Sequence, residues 1–260
     1  MPTYFNHKNK LKSLILDKTG VNITDPRNAG HFFTKESDRI FSQANYSQYK
    51  DRLLYFHYFL VQLEKIKNKN KKDFNNYLDK LSTDGLNING EKFEILTYSR
   101  LIDHSIPFLK PRQNPDFEFR FGDCSIFIEC GTRQTDKKGH YIESLEQAIT
   151  NKQTKGIEQN YANRNTALHL EISKTVYNSY GDENFLDQNI LNNVIDKSIE
   201  TVDYGAIVLI NTFYAQEDMI VYGHPTIKYN INHNEELEQL HKMMFNLESK
   251  RVTPILRPYI

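Results

Sequence analysis

Between positions 47 and about 67, the apolar residues Tyr49, Leu53, Phe56, Leu60 and Leu63 recur at alternating steps of four and three, which is one stripe along a helix. Helix is predicted through most of the first ninety residues. A second helical segment spans 73 to about 81, and the breaks at Ser82-Thr83-Asp84-Gly85 and at 87–90 mark the best candidate boundary. Beyond it, 91–104 reads as a helix with Phe93, Leu96 and Leu101 on its buried side, followed by a strand at 106–110.

The period then changes from 3.6 to 2. Phe117, Phe119, Phe121, Ile126 and Ile128 form one face, and Asp116, Glu118, Arg120, Ser125 and Glu129 share the other. A two-residue Gly122-Asp123 loop of the type that favours glycine first fixes the register. Phe121 then pairs with Cys124, Phe119 with Ile126, Phe117 with Ile128, and Asp116 with Glu129. Opposed residues on an antiparallel pair have Cβ atoms roughly 5 Å apart, and like charges there repel. At an effective dielectric of about 20 the repulsion is on the order of 3 kcal/mol, so a cation or a shared proton is expected between the two carboxylates.

Helical spacing resumes at 142–159, where Leu145, Ile149, Lys152, Gly156 and Gln159 fall on one stripe. Two long polar side chains therefore point toward the sheet. The remaining pattern predicts a strand at 167–172, a helix at 184–200, a strand at 204–211, a strand pair at 219–229, and a helix at 235–248 with Asn234 as N-cap. His169 and Glu171 alternate with Leu168, Leu170 and Ile172 and are expected on a polar face. No second histidine stands at metal-ligand spacing from His169, and His233 and His241 are too loosely spaced to argue for zinc. The layout is mixed α/β, with a helical N-terminal region at 1–88 and a core at 89–260.

Composition narrows the reading. Thirty-three basic residues balance thirty-three acidic ones, so no global positive excess points to nucleic acid, and any such contact rests on local patches. One candidate patch is the run at 65–72, with five lysines in eight residues, which reads either as a solvated helix end or as a phosphate-contacting surface. The two cysteines, Cys124 and Cys130, cannot pair in the hairpin register, and Cys130 is expected to be a small buried side chain. No stretch approaches the ~20 apolar residues that span a bilayer. No membrane is expected as a partner, and the cytoplasm is the expected compartment.

Two carboxylates at one point on a rigid sheet suit Mg²⁺ or Mn²⁺, which takes one or two carboxylates and completes its shell with water and substrate phosphate. Glu94 on a helix, Asn114-Pro115-Asp116, a hairpin, Ile128-Glu129-Cys130-Gly131, and a helix carrying Lys152 and Gln159 together resemble the PD-(D/E)XK nuclease superfamily over roughly 91–211. The resemblance implies a restriction-endonuclease-like central mixed sheet flanked by helices and Mg²⁺-dependent cleavage of phosphodiester bonds, with DNA as partner. It implies Asp116 and Glu129 as metal ligands, Glu94 as a supporting ligand, and Lys152 and Gln159 at positions where many members carry a further Lys or Gln. The chain departs from the pattern at Gly131, where the motif lysine would stand. Lys152, or Lys155, then becomes the substitute, and Arg133 is a further candidate cation. The alternative is a nuclease fold that has lost catalysis and serves as a nucleic-acid-binding or protein-interaction module. A homodimer is left open.

Overall fold

Helical spacing over the first hundred residues becomes five α-helices in the computed structural model, which describes residues 2–42, 46–82, 87–135, 138–182, 185–215 and 220–245. They are α1 (Pro2–Thr19), α2 (Phe32–Phe41), α3 (Tyr46–Lys69), α4 (Lys71–Ser82) and α5 (Ile88–Asp103). On α3 the predicted stripe is the buried face: Leu53, Phe56, Leu60 and Leu63 are all inaccessible, while the side chain of Tyr49 lies outside the described residues. Phe59 and Ile66 are buried too, because α3 packs against α1, α4 and α5 rather than one neighbour. Each such aromatic or aliphatic side chain contributes about 1.5 to 3 kcal/mol through burial.

Two residues of the lysine run are committed within this bundle. Lys65 pairs with Asp103 at 2.7 Å, and Lys67 donates to the carbonyl of Lys18 at 3.1 Å, near the end of α1 where main-chain acceptors lack helical partners. Asn70 interrupts the run and caps α4 by accepting from the amides of Lys72 and Asp73. Lys69, Lys71 and Lys72 are exposed.

The described residues cluster into two compact units, one of 2–103 with 214–215 and 220–221, the other of 104–213 with 222–245. The division falls after Asp103 rather than at 88/89. Its cause is the packing of α5 on α3 and α4, which buries Phe93, Ile95, Tyr98 and Leu101. Residues 87–90 open α5 and do not break the chain, while 83–86 lie outside the described residues.

The second unit is built on β1 (Phe117–Phe121), β2 (Cys124–Thr132), α6 (Tyr141–Glu158), β3 (Thr166–Glu171), α7 (Ser173–Ser179), α8 (Gln188–Ile199), β4 (Ala206–Ala215), β5 (Ile220–Tyr229) and α9 (Glu236–Phe245). The strands form one mixed sheet in the order β1-β2-β3-β4-β5, with β1 antiparallel to β2 and with β2, β3 and β4 parallel. The hairpin register is the predicted one: Phe121 opposes Cys124, Phe119 opposes Ile126 and Phe117 opposes Ile128. Gly122 turns the chain at φ +57°, a conformation that excludes most side chains.

Several boundaries differ from the sequence pattern. The predicted strand at 106–110 is a single bridge, Leu109 to Glu118. The predicted strand pair at 219–229 is one strand, β5, with Met219 outside the described residues. A short helix, α7, precedes α8, whose N-cap is Asp187; Asn184 lies outside the described residues. Asn234 accepts from the Glu236 amide at 3.1 Å, as its predicted capping position requires, and residues 246–248 lie outside the described residues.

β3 is buried on both sides, as parallel central strands are, and this overturns the polar-face reading of His169. Leu168 and Leu170 join Ile207 and Leu209 under α6 and α8. His169, on the opposite side, is fully buried and meets His241 of α9, with the Nε2 atoms 3.0 Å apart. A second histidine is therefore close, from 72 residues away in sequence, a distance no spacing rule bridges. Tyr229 Oη lies 2.9 Å from His241 Nδ1, and Phe245 faces both rings.

Burial first, and the neighbouring His233 second, hold the His241 imidazole down to about 3. The unfolded chain binds that proton near pH 6.5 and the folded chain does not, so stability is full above pH 6.5 and falls as pH drops toward 3. His31 and His57 are lowered by burial too and add to the same slope. Urea midpoints measured from pH 7.5 to 4 are expected to decline steadily, and His241→Gln is expected to flatten the decline. An unchanged midpoint over that range contradicts the neutral buried histidine.

No helix of the described residues is long and apolar enough to cross a membrane.

Candidate active site

β1 begins at Phe117 and extends no further toward the N-terminus, because Pro115, two residues earlier, has no N–H to continue the ladder. Asp116 is therefore not a cross-strand partner of Glu129 in the backbone sense. Its Oδ2 instead accepts from the main-chain N–H of Cys130 at 2.8 Å, so the carboxylate takes the place of the next backbone acceptor and sits beside the residue that follows Glu129. The Asn114–Pro115 bond preceding it is cis.

Glu129 lies in β2 opposite Leu168 of β3, on the face covered by α6, and is 1 % exposed. Burying a carboxylate there requires compensation. Lys152, from the α6 stripe, supplies it: Nζ donates to Glu129 Oε1 at 2.6 Å and to the Cys130 carbonyl at 2.7 Å. Tyr161 Oη adds a donor to the same Oε1 at 3.3 Å. Burial, and then the negative charge of Glu129, push the Tyr161 phenol up, which keeps it a donor at ordinary pH. The other oxygen, Oε2, is buried without a hydrogen-bond partner among the described residues.

A second lysine serves Asp116. Lys110 Nζ donates to the Asp116 carbonyl at 2.8 Å, lies 3.6 Å from Oδ1, and sits 4.6 Å above the ring of Phe117. The repulsion expected between two opposed carboxylates is thus met by one ammonium on each. Neither Lys110 nor Tyr161 stood out in the sequence. Lys110 gave a signal only as the end of a predicted strand, and Tyr161 gave none, because its approach to Glu129 depends on the turn that ends α6.

No family model, curated protein or solved structure matches this chain.

The departure at Gly131 acquires a physical account. Gly131 follows Cys130 on the same face as Glu129, and a Cβ built there would lie 2.8 Å from Lys152 Cε, 3.5 Å from Nζ and 2.8 Å from Leu170 Cδ2. The ammonium stem of Lys152 fills the space that a side chain at 131 would need. Gly156, one turn further along α6, lets the helix close on Tyr204, whose hydroxyl donates to the Lys152 carbonyl at 2.9 Å. Lys155, three residues beyond Lys152, is exposed.

The remaining predicted residues occupy other places. Gln159 ends α6 and accepts from Asn114 Nδ2 at 3.0 Å, which ties the helix to the Asn114-Pro115-Asp116 segment. Arg133 donates through Nε to Ser144 Oγ at 2.6 Å, so its guanidinium serves the start of α6 and not the carboxylates. Glu94 lies in the helical unit, 5 % exposed, where it accepts from Tyr77 Oη at 2.7 Å and stands 3.8 Å from Lys80, tying α5 to α4. Glu118 accepts from Ser125 and Arg120 on the surface. Cys130 is buried, and Cys124 and Cys130 are not joined by a disulfide. Among the described residues there is no group of three or more His, Cys, Asp and Glu placed to hold a metal.

Proposed function

We propose that the sheet-bearing unit is a restriction-endonuclease-like nuclease domain that hydrolyses phosphodiester bonds, with DNA as the substrate class. The observation that carries this reading is the exchange at Gly131: the lysine missing from the strand is supplied by α6, with its ammonium on the acid of the second motif. Glu129 Oε2, without a hydrogen-bond partner among the described residues, supports it further, since a buried carboxylate oxygen lacking a donor calls for a cation or a water.

A divalent ion fits this donor set. Glu129 Oε2 and Asp116 would hold Mg²⁺ or Mn²⁺, which prefers one or two carboxylates with water and phosphate oxygens filling the rest, and the ion would supply positive charge to the phosphoryl oxygens. Lys152 orients Glu129 and offers an ammonium to the scissile phosphate. Asp116, anchored on the Cys130 amide, holds its carboxylate in a fixed position. Gln159 fixes the segment that carries Asp116 through its bond to Asn114.

A second reading is favoured by the direct Lys152–Glu129 ion pair and by the lack of a three-ligand group among the described residues. In it the domain keeps the fold and binds nucleic acid or protein without cutting. Incubation with plasmid and linear DNA separates the two. On the nuclease reading, cleavage appears with Mg²⁺ or Mn²⁺, stops with EDTA, and is lost in Asp116→Ala and in Glu129→Ala. Absence of cleavage together with absence of Mn²⁺ binding by calorimetry removes the nuclease reading in favour of the second.

A further inference from the structure

Beside the carboxyl end of β3 and against the middle of β4, a cavity of about 270 Å³ opens between α7 and the start of α8. None of its lining residues is among those that hold the two carboxylates, Lys110, Cys130, Lys152 and Tyr161, so what it binds does not depend on the nuclease reading.

Its floor is apolar, made by Ile172, Leu191 and Leu209, and one wall is the ring of Phe185. Polar groups occupy the opposite side. Gln188 Nε2 is committed to Thr226 Oγ1 at 2.8 Å and Asn192 Oδ1 at 3.2 Å. Asn211 lines the cavity half-buried, and its carboxamide makes no hydrogen bond with the described residues. A carboxamide offers one donor and one acceptor in a plane, the complement of the N6 and N7 edge of adenine.

A large exposed ring stands beside the cavity: Tyr180, just beyond α7, is 80 % exposed. The Tyr180 ring meets Phe185 edge-on at 5.5 Å between centroids, which places it at the rim. Exposed aromatics of this kind give stacking surface to planar heterocycles. The volume lies just below the range for drug-sized ligands and suits one base with its sugar rather than a dinucleotide.

We propose that this cavity binds the adenine ring of a nucleoside or nucleotide, with Phe185 against the ring face, Asn211 on its N6–N7 edge and Tyr180 closing the rim. Isothermal titration of the full chain with adenosine, cytidine and uridine, in EDTA, tests it. Adenosine is expected to bind saturably, and the pyrimidine nucleosides at least tenfold more weakly. Asn211→Ala and Tyr180→Ala are each expected to weaken adenosine binding by roughly 5- to 150-fold. Tyr180 is mostly in solvent, so its variant remains informative if Asn211→Ala fails to fold. No saturable adenosine binding overturns the proposal, as does wild-type affinity in Tyr180→Ala, or equal affinity for all three nucleosides. DNA cleavage enters none of these outcomes, so this proposal and the nuclease reading stand or fall separately.

Discussion

Lys152→Met is expected to destabilise the sheet-bearing unit by about 3 to 5 kcal/mol and, on the nuclease reading, to abolish DNA cleavage. The stability loss follows from burial. Glu129 is 1 % exposed, one of its oxygens has no hydrogen-bond partner among the described residues, and the other depends on Lys152 Nζ at 2.6 Å, with Tyr161 as a longer second donor. Removing one member of a buried pair leaves the other charge uncompensated, which costs far more than the pair itself contributes. Methionine keeps the length and apolar stem of lysine, so the cost reports the charge rather than a cavity. Glu129→Gln in the same background removes the stranded charge and is expected to restore much of the stability without restoring cleavage. Urea midpoints read the first effect and a plasmid nicking assay the second. A Lys152→Met protein as stable as the parent would show that the ion pair carries no weight.

On the nuclease reading, moving the lysine back to the strand is expected to separate its proposed catalytic role from its structural one. Lys152→Ala alone is expected to be inactive. Lys152→Ala combined with Gly131→Lys empties the space held by Lys152 Cε and places an ammonium beside Glu129 from β2, where the resembled nucleases carry it, so partial recovery of Mg²⁺-dependent cleavage is expected. Gly131→Lys in the parent chain, with Lys152 still in place, forces two stems into one volume against Leu170. Overpacking of that kind costs typically 1 to 3 kcal/mol. The expected order of cleavage rates is parent, then the transplanted double variant, then Lys152→Ala at background. A double variant no faster than Lys152→Ala would leave the glycine at 131 without a catalytic explanation.

What the chain revealed in one dimension was whatever depends on near neighbours. The stripe on α3, the register around Gly122, the stripe on α6 that turns Lys152 inward and the capping role of Asn234 all follow from local periodicity and turn chemistry, which residues a few positions apart enforce on each other. Asp116 was half legible: its place beside Glu129 followed from the register, but its carboxylate bonds the Cys130 amide because the ladder has already ended.

Tertiary structure decided the rest. That α5 belongs with the helical bundle, and Glu94 with it, is settled by the faces α3 and α4 leave to be covered. That His169 is buried rather than solvated follows from β3 lying between two parallel neighbours with α9 on its far side, and its partner His241 is 72 residues away. Lys110, Tyr161 and the filled space at Gly131 belong to the same class, since each is a contact between elements whose separation in sequence carries no signal. Sequence by itself determined most of the helices and strands, the hairpin register and the direction of Lys152. Which charges meet depends on how those elements pack, because an ion pair is fixed by distance in space and sequence spacing constrains distance only within one helix or one hairpin.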